Sequence, residues 1–316
     1  MKPDLLVFAS SPSPSVMEQL EQHYTCHHVW QVAPAEQGAF VDAVAAKVRA
    51  VWTVGPIGIS DALVGKLPLL EIVVCNSVGV DKIEFDALRA RGIPVTNTPG
   101  VLTDDVADLT VLLLLAAARR LPVVERYVRN GGWSAGIPLK QTRSVRGKMA
   151  GVFGFGRIGQ AIVERLRPFG MEFMYYQPRA IDGVDVPRAE SLLALAEHSD
   201  YLILCAPATA ATRQSVDATV LDALGPTGTL INIARGALVD EDALISALQN
   251  GKLGAAGLDV FANEPHVPEA LRALDNIVLT PHIGSLTVET RHAMGQLTLD
   301  NLAAHFGGQP LLTPVS

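Results

Sequence analysis

Short apolar runs alternate along the chain with longer amphipathic stretches, and turn residues separate them. Leu5–Ala9 predicts a strand, and Val16–Tyr24, after the turn SSPSPS, predicts a helix. Ala50–Val54 and Glu71–Cys75 read as strands flanking a short helix near Asp61–Leu67. Asp86–Arg91 reads as a helix stopped by Gly92, and Pro94–Thr96 as a strand. Glycine is the expected stop because it accepts positive φ freely. Strands and helices in alternation build a parallel sheet covered on both faces.

Asp104–Arg120 predicts the longest helix of the first half. Asp104, Asp105 and Asp108 sit at the positive end of its dipole, Arg119 and Arg120 at the negative end. Its centre, VLLLLAAA, is apolar all round, which predicts burial. A second series follows, with strands expected at Met149–Phe153, Glu172–Tyr176, Tyr201–Leu204, Thr229–Ile233, Ala255–Asp259 and Ile277–Leu279. These strands, with helices between them, make a complete doubly wound sheet of the dinucleotide-binding kind. Thr287–Phe306 predicts a last long helix that returns to the first domain. Asn130–Gly147 shows no clear period, and so long a connection is usually functional or partner-facing.

Composition narrows the function classes. The 316 residues are 49% hydrophobic and 18% charged, enough for about two packed domains. A formal charge of −7, with no long Lys/Arg run, disfavours nucleic acid and anionic membranes as partners. The longest apolar run, Val111–Ala118, falls far short of the about 20 residues that span a membrane. MKPDLLVFAS lacks the apolar region of a secretory signal. Cys26, Cys75 and Cys205 are far apart and without zinc spacing. Reduced thiols, no metal and a cytoplasmic location are therefore expected.

The chemistry starts at Gly154-Phe155-Gly156-Arg157-Ile158-Gly159. A β-like run precedes this G-x-G-x-x-G and a helical pattern follows it. The glycines permit a tight turn and close approach of a pyrophosphate, and the helix N-terminus offers it free N–H groups. The next strand should end in the residue that reads the adenosine ribose, Asp or Glu in an NAD enzyme. Here Gln177 stands in that place, with Arg179 two residues on. A neutral Gln does not repel a 2′-phosphate, and an Arg fork can bind one. Three further segments follow predicted strands, where α/β sheets place ligands. They are Asn232–Gly236, Leu258–Pro265 and Pro281–Ser285, bringing Arg235, Glu264 and His282. An Arg can clamp a carboxylate, and a His beside a Glu can be held charged as an acid.

Other candidates read as structural. His27 and His28 would face opposite sides of a strand, and His23, His198, His292 and His305 lack metal spacing. His266 reads as loop, and Arg291 and Met294 as packing residues of the last helix.

At NSVGVDKI (76–83), VTNTPGVLTDDVADLTVLLLLAAARR (95–120), GFGRIG, NIARG, GLDVFANEP and PHIGS the chain resembles the D-isomer-specific 2-hydroxyacid dehydrogenases. The likeness covers nearly the whole chain. Within the family it is most similar to the NADPH-dependent glyoxylate/hydroxypyruvate and hydroxyphenylpyruvate reductases. The resemblance implies two Rossmann-like doubly wound α/β domains, the second inserted in the first, with an active site in the cleft between them. The substrate domain would comprise 1–97 and 284–316, and the dinucleotide domain 98–283, with a dimerisation arm near 121–147 around Trp133.

It further implies that Arg235 binds the substrate carboxylate and keto oxygen, that His282 protonates that oxygen, and that Glu264 keeps His282 charged. The N–H groups of Val78 and Gly79 would hold the carboxylate. Ile233, Ala234, Asp259, Gly284 and Ser285 would line the nicotinamide end, together with Arg235 and His282. A loop from Cys205 through Pro207 to Thr212 would cover the ribose and phosphates. The expected reaction is NADPH-dependent reduction of a small 2-oxo acid, glyoxylate or hydroxypyruvate, to the D-2-hydroxy acid by a homodimer. NADPH is expected over NADH.

Rival readings are an arylpyruvate reductase, a 3-phosphoglycerate dehydrogenase, a formate dehydrogenase and a non-catalytic nucleotide-sensing protein like the corepressors of this fold. Phosphoglycerate dehydrogenases usually carry an acid in place of Gln177, and formate dehydrogenases carry Gln in place of Glu264. The regulatory domain of the former and the long tails of the corepressors are expected to be missing here.

Overall fold

The computed structural model describes residues 2–11 and 13–315; Met1, Pro12 (inside the predicted turn SSPSPS) and Ser316 lie outside the described residues. The chain divides into two compact units, Met1–Leu102 with Leu286–Ser316, and Thr103–Ser285.

The first unit is a parallel sheet of β1 (Asp4–Val7), β2 (Thr25–His28), β3 (Val48–Thr53), β4 (Ile72–Cys75) and β5 (Val95–Thr96), in spatial order β2-β1-β3-β4-β5. Neighbouring residues of a strand face opposite sides. Leu6, Val51 and Val73 therefore pack with Val64 and Leu88 on one face. Leu5, Trp52 and Val74 pack with Val16 and Leu20 on the other. Leu299 and Leu302 of the helix Val288–Phe306 complete that second face. The end of the chain is thus part of the first unit's core. Two elements carry too little pattern to be seen in sequence. β2 reads TCHH, an edge strand without an apolar run, and the helix Gln37–Val44 buries only Val41.

The second unit is a parallel sheet of β6 (Met149–Phe153), β7 (Glu172–Tyr176), β8 (Tyr201–Leu204), β9 (Thr229–Asn232), β10 (Ala255–Leu258) and β11 (Ile277–Leu279). Its order is β11-β10-β9-β8-β6-β7. From β6 the chain goes to β7 on one side, then crosses to β8 on the other. The switch point therefore lies at the C-terminal ends of β6 and β8, where open α/β sheets bind ligands. Leu202, Leu204, Leu230 and Leu258 pack against Leu221, Leu244 and Leu248 on one face.

The helix Thr103–Ala118 ends two residues short of the predicted Arg120. Arg120 adopts a left-handed φ of 51°, and a second helix, Leu121–Arg129, starts with Pro122 in its first turn. The expectation that the first of these helices is buried all round is corrected. Leu109, Leu113 and Leu114 are buried, but Leu112 is 52% exposed. Leu121, Val128, Trp133, Ile137 and Leu139 of the same unit are exposed as well. Among the described residues no helix is long and apolar enough to cross a membrane.

Candidate active site

The glycine-rich turn links β6 to the helix Arg157–Leu166. Gly154 has φ of +90°, and a Cβ there would meet the Ala206 backbone nitrogen at 2.5 Å. A Cβ on Gly159 would meet the Gly154 carbonyl oxygen at 2.5 Å. The first glycine lets the turn lie against the loop after β8, and the last brings the helix onto the turn. Gly156, the N-cap, has open space where its side chain would be. The helix has no side-chain cap and no acid in its first turn. Its first N–H groups and positive dipole thus face a cradle with no protein anion in it, which fits a pyrophosphate. Arg157 and Ile158 open the helix, and Arg157 is exposed.

The β7 end lies beside this cradle. The Gln177 side chain accepts from the Phe155 N–H at 3.1 Å and donates to the Arg179 carbonyl at 2.8 Å. Both ends of its amide are therefore engaged in bracing the turn, a role its sequence position did not reveal. Arg179 is exposed, and its guanidinium has no ion pair or hydrogen bond among the described residues.

After β8, Cys205 donates its N–H to the Phe153 carbonyl at 2.8 Å. Burial pushes its thiol up to about 12, so it is no nucleophile. The loop closes on itself, as the Thr212 hydroxyl donates to the Pro207 carbonyl at 2.7 Å and accepts from the Thr209 N–H at 2.8 Å.

The three remaining strand ends hold the charged groups. After β9, the Asn232 amide accepts from the Ala234 N–H at 3.0 Å and donates to the Arg235 carbonyl at 2.9 Å. This fixes the turn Ile233-Ala234-Arg235, an Asx turn whose signal was present in sequence but unread. After β10, Asp259 is buried. Its carboxylate accepts from Thr280 Oγ1 (2.7 Å) and from the N–H groups of Ile283 (2.8 Å) and Gly284 (2.9 Å). Burial raises its pKa against these donors. Its carbonyl accepts from the His282 N–H at 2.8 Å. Asp259 thus holds the loop after β11, in which His282 has a left-handed φ of 55°. A non-glycine residue keeps that conformation only where its surroundings enforce it. Ser285 closes this loop at the unit's end.

His282 Nδ1 lies 2.7 Å from Glu264 Oε2, so the structure brings these two together from separate strand ends. An ionised carboxylate only accepts, so Nδ1 donates, and Nε2 makes no hydrogen bond among the described residues. Glu264 Oε1 accepts from the Phe261 N–H at 3.0 Å. Burial pushes the Glu264 carboxyl up. The His282 and Phe261 hydrogen bonds and the charges of His282 and Arg235 outweigh it, and hold the carboxyl below its ordinary 4.5. Arg235 donates from Nη1 to the Ala234 carbonyl at 2.6 Å. His266 stands apart, its N–H bonded to Asn263 in the same loop.

Val78 and Gly79 belong to the first unit, in the loop after β4. The Asn97 amide donates to the Val78 carbonyl at 2.8 Å, and Cys75 Sγ to the Gly79 carbonyl at 3.7 Å. Neither Val78 nor Gly79 donates its own N–H to any described residue. Among the described residues no three His, Cys, Asp or Glu side chains gather as a metal site.

Comparison with known proteins places the chain in a family. Residues 111–284 match the family model described as D-isomer specific 2-hydroxyacid dehydrogenase, NAD binding domain. A glyoxylate/hydroxypyruvate reductase A of Arabidopsis thaliana is 46% identical over 310 residues, covering 98% of each chain. A hydroxyphenylpyruvate reductase of Plectranthus scutellarioides is 44% identical over 310 residues, again covering 98% of each. Among solved structures, an NADPH-dependent glyoxylate/hydroxypyruvate reductase from Sinorhizobium meliloti, in complex with NADP and malonate, superposes with a TM-score of 0.90. It is 40% identical, and the match covers 100% of this chain and 97% of that one. With the dinucleotide cradle and the charged strand ends in one unit, these similarities establish that the chain belongs to the D-isomer specific 2-hydroxyacid dehydrogenase family of oxidoreductases.

Proposed function

We propose that the protein reduces small 2-oxo acids, glyoxylate and hydroxypyruvate foremost, to D-2-hydroxy acids with NADPH. The observation that carries this reading is the Glu264–His282 pair at 2.7 Å, with Arg235 close enough to help keep Glu264 ionised. NADPH, when bound, supplies the hydride to C2 of the oxo acid. His282 Nε2 gives its proton to the keto oxygen as negative charge develops there. Glu264 stabilises the charged imidazole before transfer and fixes the ring through Nδ1. Arg235 binds the carboxylate and the keto oxygen with its fork.

The residues of the cradle would hold the cofactor. The open N-terminus at Gly156 takes the pyrophosphate, and Arg179, with no carboxylate partner, takes the 2′-phosphate. Ile233, Ala234, Asp259, Gly284 and Ser285 surround the nicotinamide end, and the Cys205–Thr212 loop covers the ribose and phosphates. The protein acts in the cytoplasm as a homodimer. Leu121, Val128, Trp133 and Leu139 line one exposed apolar groove that a second copy covers, and Trp133 is 75% exposed. Trp133→Glu should then shift the sedimentation mass from dimer to monomer.

An arylpyruvate substrate is the second reading, favoured by the hydroxyphenylpyruvate reductase among the relatives. The test is NADPH oxidation at 340 nm with glyoxylate, hydroxypyruvate and aryl 2-oxo acids, each taken to kcat/KM. Highest kcat/KM with the two small acids is expected, and highest kcat/KM with an aryl acid selects the second reading. Cofactor binding without turnover of any of them would make the protein a nucleotide sensor.

A further inference from the structure

A residue eleven positions away in sequence holds the strand end that carries Gln177 and Arg179. Beyond β7 the chain loops out and returns at Pro187–Ala189. There the Tyr175 N–H donates to the Pro187 carbonyl at 3.0 Å, and the Ala189 N–H to the Tyr175 carbonyl at 2.8 Å. This one bridge sets Arg188 beside the turn. Arg188 Nε donates to the Gln177 carbonyl at 3.0 Å and Nη2 to the Pro178 carbonyl at 3.0 Å. The Arg179 carbonyl is taken by the Gln177 amide at 2.8 Å. Three successive carbonyls, each a partial negative charge beside the proposed phosphate position, are therefore all turned onto side-chain donors.

Arg157, Arg179 and Arg188 have no carboxylate partner among the described residues, so this corner keeps its positive charge. A planar guanidinium spanning two adjacent carbonyls is something a lysine ammonium cannot reproduce. Holding a binding group in place before the ligand arrives lowers the ordering cost of binding.

We propose that Arg188 is a positioning residue for cofactor choice. By pinning the carbonyls of Gln177 and Pro178 it fixes the turn on which Arg179 stands, and so sets how strongly Arg179 selects the 2′-phosphate. This inference rests on the NADPH reading above.

The test measures calorimetric Kd values for adenosine 2′,5′-bisphosphate and 5′-AMP in the wild type, Arg188→Met and Arg188→Lys. The wild type binds the bisphosphate more tightly. Both substitutions should lower that preference about three- to fivefold, the scale of an exposed charge interaction. The NADPH-to-NADH ratio of kcat/KM should fall in parallel, through KM rather than kcat. An unchanged preference in Arg188→Met overturns the role of Arg188 and leaves the NADPH reading standing. Full preference in Arg188→Lys overturns the pinning, since a point charge then suffices. Equal weakening of both nucleotides marks a merely structural role and overturns it as well. A wild type without preference for the bisphosphate overturns the inference and the NADPH reading together.

Discussion

After β10 and β11, Glu264 and His282 meet at 2.7 Å, and the Asp259 carboxylate accepts three hydrogen bonds from the loop that carries His282. After β6 and β7, Arg179 is exposed and the helix N-terminus at Gly156 is uncapped. Both corners belong to one sheet, yet one satisfies its charges internally and the other leaves them open. Groups that must hold one geometry during proton transfer are locked by neighbours. Groups that only attract an anion stay in water, where each interaction is weaker but costs little to keep. The paired corner should therefore tolerate substitution badly and the open corner mildly.

The sharpest way to break this contrast is His282→Ala. Loss of a general acid lowers rate about 10²–10⁴-fold. A variant retaining more than about half of wild-type kcat would remove His282 from the chemistry. Next is Arg235→Lys, which keeps the charge but loses the fork. A hydrogen bond to a charged group contributes about 1.5–3 kcal/mol, so kcat/KM for the oxo acid should fall about 10- to 100-fold. If the KM for NADPH rises while that for the oxo acid stays, Arg235 belongs to the cofactor instead.

Titration sharpens the comparison further. Glu264 is held below its ordinary 4.5, so it stays ionised until pH falls past that value. Its folded pKa is depressed, so the stability it contributes is present above its ordinary 4.5 and is lost as pH falls through the lower folded value. The wild-type acid limb of kcat/KM from this group should therefore lie below 4.5. In Glu264→Gln the group that titrates below 4.5 is gone, and the acid limb of kcat/KM that it sets should be lost. An identical pH profile in the two proteins would show the pair to be uncoupled.

The smallest effect belongs to the open corner. Arg179→Ala should lower the NADPH-to-NADH ratio of kcat/KM about tenfold, the lower end for a charged hydrogen bond in solvent. Added salt should erode the wild-type ratio by screening. A ratio insensitive to both would mean that discrimination lies elsewhere.

Periodicity and local motifs are enough where one strand and its own loop carry the information. β6, β7, β8 and β11 lie at their expected bounds, because each is a compact apolar run between turn residues. The glycine spacing of GFGRIG likewise foretells the cradle, since its close contacts lie within a single βα turn and the loop beside it. The edge strand β2 escaped because its residues are polar, and an edge strand at the rim need bury little.

What the chain alone determined was its class: two parallel sheets, and an Arg, a Glu and a His each just past a strand end. The distances were decided by sheet order. β9, β10 and β11 lie side by side, and only that adjacency brings Glu264 to His282 across eighteen residues of sequence. The buried Asp259 carboxylate and the hold of Arg188 on its turn are likewise products of strand neighbours meeting. No local pattern encodes them, because a hydrogen bond between distant segments depends on where the whole sheet places their backbones.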